Sequence, residues 1–543
     1  MKKLSWRSAM ALCLGAVLVV VVPACGTDDE SEPTKAVRAF AAAMSRQDVQ
    51  AASDLTTSPS QAAEALGVTF AGMHARTVDA QVLDTVEYGD GTASFSMKIG
   101  WAWSDDRGWG TKTTGSVRQL ATGWKVQWDP TLLNAGMPVG GRLQMVRTDA
   151  TPAPTVRSTS GKAFMQMQPV HEIMINPAAT RNLQRSVNAL AAALKPIAPL
   201  ITAQVINDKI ADAQGGETLA ATLREPDLKL LAADPERIAG VTVVKGGMLV
   251  MSDRRISTPL ATGLTNYWQA IRDATAGWQV QQAAPGAVPV ELAGEQGRSG
   301  PDIMTTINQV EQLTLGDAVV EVAQPATIMT FDGTTGAILG MAQNDAAEHE
   351  RVLADVAYPT GSTLDPVFDA IDSSAKTREA AEAQMHHLGL GLTFTVPGVV
   401  APRDSARGTF GAASFRPQDF TATMINMGAL GVAVSRSLSG EDTAVAPFLI
   451  KGSATKITGG ALGKMTPATV RAVAAGMAAT ARTGDASDIT GAPGLRALVG
   501  TNGASGPGWF IGLSGGKVLV VYCEDERAGT AALQVAQKYY RLD

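Results

Sequence analysis

The sequence predicts a multidomain α+β protein, and three observations support this fold class. The chain has 543 residues, which corresponds to about three and a half domains of ordinary size. Apolar residues alternate along Thr92–Ile99 and again along Trp124–Trp128, a period of two that predicts β-strands with one buried face. The alanine-rich stretch Thr34–Leu66 instead carries apolar residues at helical spacing. Helices and antiparallel strands are therefore expected in separate segments of the chain.

The composition is that of a globular protein without a nucleic-acid surface. Hydrophobic residues make up 45% of the sequence and charged residues 18%, and 45 Lys and Arg against 51 Asp and Glu give a net charge of −6. This balance excludes a dominant disordered tail. It also excludes a broad basic face, so we expect no nucleic-acid partner.

The first 25 residues have the pattern of an exported bacterial lipoprotein. Lys2, Lys3 and Arg7 precede an apolar run of 14 residues, Ala9–Val22, as in a signal peptide. A transmembrane helix needs roughly 20 apolar residues, so this run is too short to span the bilayer. The Val-Pro-Ala-Cys-Gly segment that closes the run resembles a bacterial lipobox, with Cys25 as the lipidated cysteine. The alternative is an ordinary secretory cleavage site with a chance cysteine.

Cysteine usage agrees with this interpretation. Cys13 lies in the predicted signal peptide and Cys25 at the predicted lipid attachment, so Cys523 has no partner for an intramolecular disulfide. Cys523 lies in an apolar, strand-like run and is expected to be a small core residue. We expect the chain to be held by its lipid at the extracytoplasmic face of the bacterial cell membrane.

Composition and pattern shifts divide the chain into five segments. A signal peptide (1–24) and a tether (25–33) precede a domain in which helices are followed by a curved antiparallel sheet (34–138). A middle domain (139–300) and a C-terminal domain (301–543) complete the chain. Five tryptophans of the first domain are expected to be core residues rather than a ligand cage.

The middle domain is predicted to mix short strands with a helix at Ala178–Ala193. The C-terminal domain has the order hairpin, helices, hairpin, terminal helix, which predicts an antiparallel sheet sandwiched by helices. Its predicted elements are strands at Ala326–Phe331 and Ala337–Ala342, helices at Thr377–Leu388 and Thr466–Thr483, strands at Trp509–Leu513 and Val518–Tyr522, and a helix at Thr530–Tyr540.

Four short motifs lie at Trp124–Pro130, Thr306–Gln312, Thr335–Ala342 and Trp509–Gly512. Together they resemble segments of class B penicillin-binding proteins with a methicillin-resistance-type N-terminal domain. Trp124–Pro130 resembles the W-x-V-x-W-x-P end of that family's cone-shaped domain, which is related to nuclear transport factor folds. Thr306–Gln312, Thr335–Ala342 and Trp509–Gly512 resemble successive segments of its transpeptidase domain. The resemblance implies a dimerisation-type domain in the middle of the chain and a penicillin-binding, transpeptidase-like domain at its end.

The chemistry of this family needs three clusters of residues: a serine with a lysine three positions later, a Ser-x-Asn motif and a Lys-Thr-Gly strand. Ala357–Asp365 resembles the serine segment Y-P-P-G-S-T-F-K, with Ser362 at the nucleophile position and Asp365 in place of the lysine. Pro366 is compatible only with the first turn of a helix, so a helix is expected to begin at about Asp365.

The other two clusters are degenerate by the same comparison. No Ser-x-Asn lies between Ser362 and Leu388. Counting back from the W-F-x-G segment places Thr501, Asn502 and Gly503 at the Lys-Thr-Gly position, without a lysine. A register one or two residues earlier would place Gly500 or Val499 at the lysine position, so no nearby register recovers a lysine.

Two further groups of residues offer alternatives. Ser373 and Lys376 spell S-x-x-K, but Ser373 is expected to cap the N-terminus of a helix. His386 and His387 are adjacent, so their side chains point apart, and no third ligand is near them in the sequence; we expect no metal and no cofactor.

The resemblance implies a role in peptidoglycan biosynthesis, and the degenerate motifs favour a binding or scaffold protein over an enzyme. The expected partners are peptidoglycan stem peptides or β-lactams, other cell-wall synthesis proteins, and the membrane through the lipid anchor. The alternative is an active D,D-transpeptidase that penicillin acylates at Ser362, with Asp365 or Lys376 as the base.

Lipid attachment is tested by Cys25→Ala. The variant should lose metabolic labelling by radioactive fatty acid, because the thioether requires the cysteine sulfur, and the protein should move from the membrane fraction to the soluble fraction. Cys523→Ala is the matched control and should stay in the membrane fraction with its label. Equal labelling of both variants would contradict the lipobox assignment.

Overall fold

The computed structural model describes residues 30–399, 420–502 and 504–543. The predicted signal peptide, Cys25 and Gly503 lie outside these residues. The described residues form two compact units: the first contains the chain up to Thr148 together with Trp278–Glu295, and the second contains Asp149–Gly277 and Gln296–Asp543. No helix in the described ranges is long and apolar enough to cross a membrane.

The first unit begins with three helices. They are α1 (Glu32–Ser45), α2 (Val49–Asp54) and α3 (Pro59–Met73). Prolines occupy the first turns of α1 and α3, where no backbone donor is lost. The side chain of Asp48 accepts a hydrogen bond from the N–H of Ala51 and so caps α2. The helical stretch predicted over Thr34–Leu66 is confirmed as helical, divided into three helices.

An antiparallel sheet in the order β1-β2-β3-β4 packs against these helices. The strands are β1 (Thr77–Tyr88), β2 (Thr92–Ala102), β3 (Gly108–Leu120) and β4 (Gly123–Val126), followed by β5 (Arg142–Thr148). Every second residue of β2 from Ala93 to Trp101 is buried, as the alternation predicts. Trp101 lies 5.8 Å from the Phe70 ring of α3. The tryptophans belong to this core, either buried or partly buried against it.

The middle of the chain forms a second sheet around one long strand. The elements are β6 (Val156–Arg157), β7 (Ala163–Ile175), α4 (Leu183–Leu194), α5 (Ala203–Asp212), β8 (Thr218–Arg224), α6 (Glu225–Leu228), β9 (Val241–Met251), α7 (Leu260–Thr275), β10 (Gly277–Ala283), β11 (Val290–Glu295) and β12 (Ile303–Met304). β7 pairs with β6, β8 and β9, while β11, β10 and β5 form a separate sheet of the first unit.

Two predictions for this region need correction. β7 has 13 residues and β9 has 11, so the strands are not short. The helix predicted from Ala178 begins only at Leu183, because Pro177–Ala179 forms a separate 3-10 turn and the Asn182 side chain caps α4 by accepting the N–H of Arg185.

The rest of the second unit is an antiparallel sheet between helices. Its elements are α8 (Gln309–Val319), β13 (Ala326–Asp332), β14 (Ile338–Gln343), α9 (Asp345–Glu350), β15 (Tyr358–Pro359), α10 (Asp365–Ser374), α11 (Arg378–His387), β16 (Thr393–Thr395), β17 (Thr421–Ala422), α12 (Met424–Leu438), β18 (Lys456–Thr458), α13 (Pro467–Thr483), β19 (Arg496–Gly500), β20 (Gly508–Ser514), β21 (Lys517–Cys523) and α14 (Ala528–Leu542). The main sheet has the order β14-β13-β21-β20-β19. Both predicted hairpins are confirmed.

Helices cover both faces of this sheet. α8 and α14 pack on one face, and α12, which is buried from Met424 to Val434, packs on the other with α13. Cys523 is fully buried in β21, and this burial raises the pKa of its thiol. As predicted, it is a core residue.

A buried carboxylate ties the sheet to the two helices on one face. Glu311 of α8 is only 4% exposed and accepts hydrogen bonds from Lys517 Nζ at 2.7 Å and from the Tyr539 hydroxyl at 2.6 Å. Lys517 also pairs with Asp543, beyond the end of α14. The amine of Lys517 is therefore engaged in this cluster.

Removing this carboxylate should destabilise the second unit. Glu311→Ala leaves Lys517 and Tyr539 without their shared acceptor, and we expect a loss of about 2 kcal/mol in the free energy of unfolding. Glu321→Ala removes the carboxylate of a solvent-exposed pair with Lys538 and should cost less than about 1 kcal/mol. Urea unfolding of both variants measures the difference, and equal losses would contradict the role of Glu311.

Candidate functional site

Ser362 lies on a tight turn between β15 and α10. Gly361–Leu364 form a 3-10 turn, with Gly361 in the left-handed region at φ 51°. α10 then begins at Asp365 with Pro366 in its first turn, as the sequence predicts. Ser362 is exposed, whereas Thr363 and Leu364 behind it are buried. The turn therefore presents the serine to solvent on a fixed backbone.

Aromatic residues on two interior strands of the main sheet, β20 and β21, hold the segment before this turn. The Trp509 indole N–H donates to the carbonyl oxygen of Pro359 at 2.9 Å. The ring of Tyr358 stacks on that of Tyr522 with centroids 4.2 Å apart. Burial raises the pKa of Tyr358 to about 12 and also raises that of Tyr522. Both phenols therefore stay protonated at neutral pH and cannot serve as bases there.

Asn502 lies directly against the serine turn. Its side-chain oxygen Oδ1 accepts two hydrogen bonds from Ser362, one from the backbone N–H at 2.8 Å and one from the hydroxyl at 2.9 Å. Its Nδ2 donates to the carbonyl oxygen of Pro507 at 2.7 Å. The nucleophile position and the Lys-Thr-Gly position of the resemblance are thus brought together, although 140 residues separate them in the chain.

Glycines allow this close contact. A Cβ atom at Gly361 or at Gly506 would overlap Asn502, and a Cβ atom at Gly500 would overlap the hydroxyl of Thr363. The backbone at the end of β19 therefore lies in direct contact with the serine turn. Any side chain at these glycines would push the turn and Asn502 apart.

The remaining predicted site residues have different surroundings. Asp365 is the first residue of α10, three positions after Ser362, and a carboxylate is favoured at a helix N-terminus. Thr501 is partly exposed, and its backbone packs against Gly529 at the start of α14. Gly503 lies outside the described residues. The structure shows neither a lysine at position 365 nor a cation at position 501.

The alternative pair of Ser373 and Lys376 is remote from Ser362. The ten-residue helix α10 separates Ser362 from Lys376. At ~1.5 Å per residue, this helix is about 15 Å long. The prediction that Ser373 caps the start of a helix is wrong. Ser373 lies in the last turn of α10, where its hydroxyl donates to the Ala370 carbonyl, and Thr377 caps α11 because the chain becomes extended after Ser374.

Sequence reasoning missed a buried asparagine near this region. Asn426, at the start of α12, donates from Nδ2 to the carbonyl oxygens of Gly389 and Leu392 at 2.7 and 2.9 Å. Its Oδ1 accepts from the hydroxyl of Thr423. The Thr-x-x-Asn spacing, which resembles a capping box, was the available signal. Asn426 fixes the segment after α11.

The histidines and the acidic residues in the described part of the chain form no group that could hold a metal ion. His386 is half-buried, and this burial lowers its pKa. A Cβ atom at Gly460 would lie 2.5 Å from His386 Nδ1, so the ring packs tightly against that backbone. Across the described ranges, no group of three or more His, Cys, Asp or Glu side chains is arranged to hold a metal ion.

One comparison with known proteins gives a match. Residues 32–140 match the family model of the NTF2-like N-terminal transpeptidase domain. This range contains the helices α1–α3 and the sheet β1–β4. No curated protein matches the sequence at a significant level. The match supports a protein similar to penicillin-binding proteins of the methicillin-resistance type and agrees with the mixed α/β, multidomain fold.

The contact between β19 and the serine turn can be tested with two glycines. Gly500→Ala should destabilise the second unit by about 1–3 kcal/mol, because the new methyl group overlaps Thr363. Gly316→Ala, in α8, meets nothing within 4 Å and should stabilise it by about 0.5–1 kcal/mol, because alanine favours helix. Thermal unfolding checks both signs, and a neutral Gly500→Ala would contradict the close packing.

Proposed function

We propose that this protein is a lipid-anchored member of the class B penicillin-binding protein family that acts in peptidoglycan assembly as a binding or scaffold protein. The family match at residues 32–140 supports the relationship of the N-terminal domain. A five-stranded antiparallel sheet between helices, with Ser362 on a turn at its edge, is compatible with a transpeptidase-like C-terminal domain.

One observation carries the proposal that the site is degenerate. The Ser362 hydroxyl donates its hydrogen bond to an amide oxygen of Asn502. An amide oxygen is a neutral acceptor that does not take up a proton near neutral pH. A serine nucleophile needs an adjacent base to remove its proton, and this contact supplies none.

The charges around Ser362 also differ from those that acyl transfer in this family needs. The resemblance places a lysine at position 365 and another at position 501, and the sequence has Asp365 and Thr501 there. By the resemblance, the first lysine would remove the serine proton and the second would hold the substrate carboxylate. Both are absent, and Asp365 adds one negative charge. Loss of members of a comparable catalytic set lowers the rate by several orders of magnitude.

An exposed serine turn without the family's lysines suits recognition rather than catalysis. The proposed ligands are peptidoglycan stem peptides or β-lactams bound without acylation, and the proposed protein partners are other cell-wall synthesis proteins. The lipid on Cys25 would keep the protein at the extracytoplasmic face of the membrane, where these ligands are found.

The test is acylation by penicillin. We expect the unaltered protein, incubated with a fluorescent penicillin, to show no adduct by gel fluorescence and no mass increase by intact mass spectrometry. Ser362→Ala should behave identically, and thermal unfolding should show that both proteins are folded.

The alternative function, an active D,D-transpeptidase, predicts a different result. A stoichiometric adduct on the unaltered protein that disappears in Ser362→Ala would contradict the degenerate site. Asp365→Asn in the same assay would then show whether the carboxylate three residues after the serine acts as the base.

A further inference from the structure

We infer that the side-chain carbonyl of Asn502 occupies the position at which the Ser362 turn would otherwise bind the acyl oxygen of a ligand. The inference rests on the proposed function and adds a group of the protein itself that competes with ligands for Ser362. Enzymes that transfer acyl groups to serine stabilise the developing oxyanion with backbone N–H donors around the nucleophile. The donor and the nucleophile must therefore face the same acyl group.

In this structure, both groups of Ser362 face one oxygen of the protein itself. The backbone N–H lies 2.8 Å and the hydroxyl oxygen 2.9 Å from Asn502 Oδ1. The amide group of asparagine has the same carbonyl acceptor as a peptide bond. Asn502 thus occupies the backbone N–H that a bound acyl oxygen would need and engages the hydroxyl that would attack the acyl carbon.

The backbone and the neighbouring residues hold the Asn502 side chain in this position. Asn502 has φ 45°, a left-handed conformation that asparagine tolerates better than most residues. Its Nδ2 is fixed by the Pro507 carbonyl at 2.7 Å. Gly361 and Gly506 leave room for it that any Cβ atom would remove. The Asn502 carbonyl is part of the chain and is already oriented toward Ser362. A free ligand must displace it, so the internal carbonyl is favoured over the ligand.

The ligand class that this carbonyl excludes is defined by the two donors. It comprises acyl compounds and their tetrahedral analogues, which place one oxygen at the backbone N–H while the serine oxygen bonds to the central atom. A boronic acid is a suitable probe, because the Ser362 oxygen adds to boron, the hydroxyl proton passes to water, and boron becomes tetrahedral without any leaving group.

The experiment is a titration of the full chain with phenylboronic acid, followed by the ¹¹B NMR signal of tetrahedral boron. Asn502→Gly removes the carbonyl while suiting the left-handed backbone, and Asn502→Ala removes it with the Cβ atom kept. We expect the apparent Kd of the Asn502→Gly variant to be at least tenfold lower than that of the unaltered protein, and Asn502→Ala to shift in the same direction. Thermal unfolding identifies any variant that is not folded, and the other variant then carries the test.

Two controls make the result specific. Asn308→Gly removes an amide oxygen that accepts backbone N–H groups of Val310 and Glu311 at the start of α8, and its Kd should equal that of the unaltered protein. Ser362→Ala combined with Asn502→Gly should lose the gain.

An unchanged Kd in folded Asn502 variants, or a gain that survives Ser362→Ala, would overturn the inference. Penicillin acylation of the unaltered protein is a separate readout and would contradict the proposed function instead. The two failures are therefore distinguishable.

Discussion

The geometry of the candidate site depends on one acceptor atom, Asn502 Oδ1. Two donors of Ser362 converge on it, and the same side chain is tied back to Pro507. The contact joins the start of α10 to the loop between β19 and β20. A second contact between these two segments is the close packing of Gly500 against Thr363. The exposed serine is consequently held by the sheet edge rather than by its own helix.

The charge pattern around this contact is consistent with the proposed binding role. A lysine ammonium in the first turn of α10 would oppose the helix dipole unless a substrate or partner anion compensated it, whereas Asp365 is favoured there without a ligand. Thr501 and Asn502, in the loop after β19, contribute neutral side chains. With these residues at positions 365, 501 and 502, the hydrogen bonds of Ser362 are made within the protein and need no ligand.

Local patterns predicted much of the fold, and contacts distant in sequence account for the rest. The alternation along β2, the two hairpins of the main sheet and the start of α10 at Asp365 follow from side-chain period, turn residues and proline. The long strands β7 and β9 were predicted as short because many of their side chains are exposed or half-buried, which weakens the apolar signal.

Capping and tertiary contacts are less visible in a sequence. Ser373 and Thr377 are both good capping residues, and only the backbone break after Ser374 decides between them. The Ser362–Asn502 contact joins positions 140 residues apart. Motif alignment placed both residues at the site, but their hydrogen bonds depend on the strand register and on the glycines around them.

The most direct test is an experimental structure of the unaltered protein after prolonged incubation with benzylpenicillin. The proposal predicts a free Ser362 side chain whose hydroxyl lies within hydrogen-bond distance of Asn502 Oδ1. Continuous density from the Ser362 oxygen to an opened β-lactam, with Asn502 turned away from the serine, would contradict it.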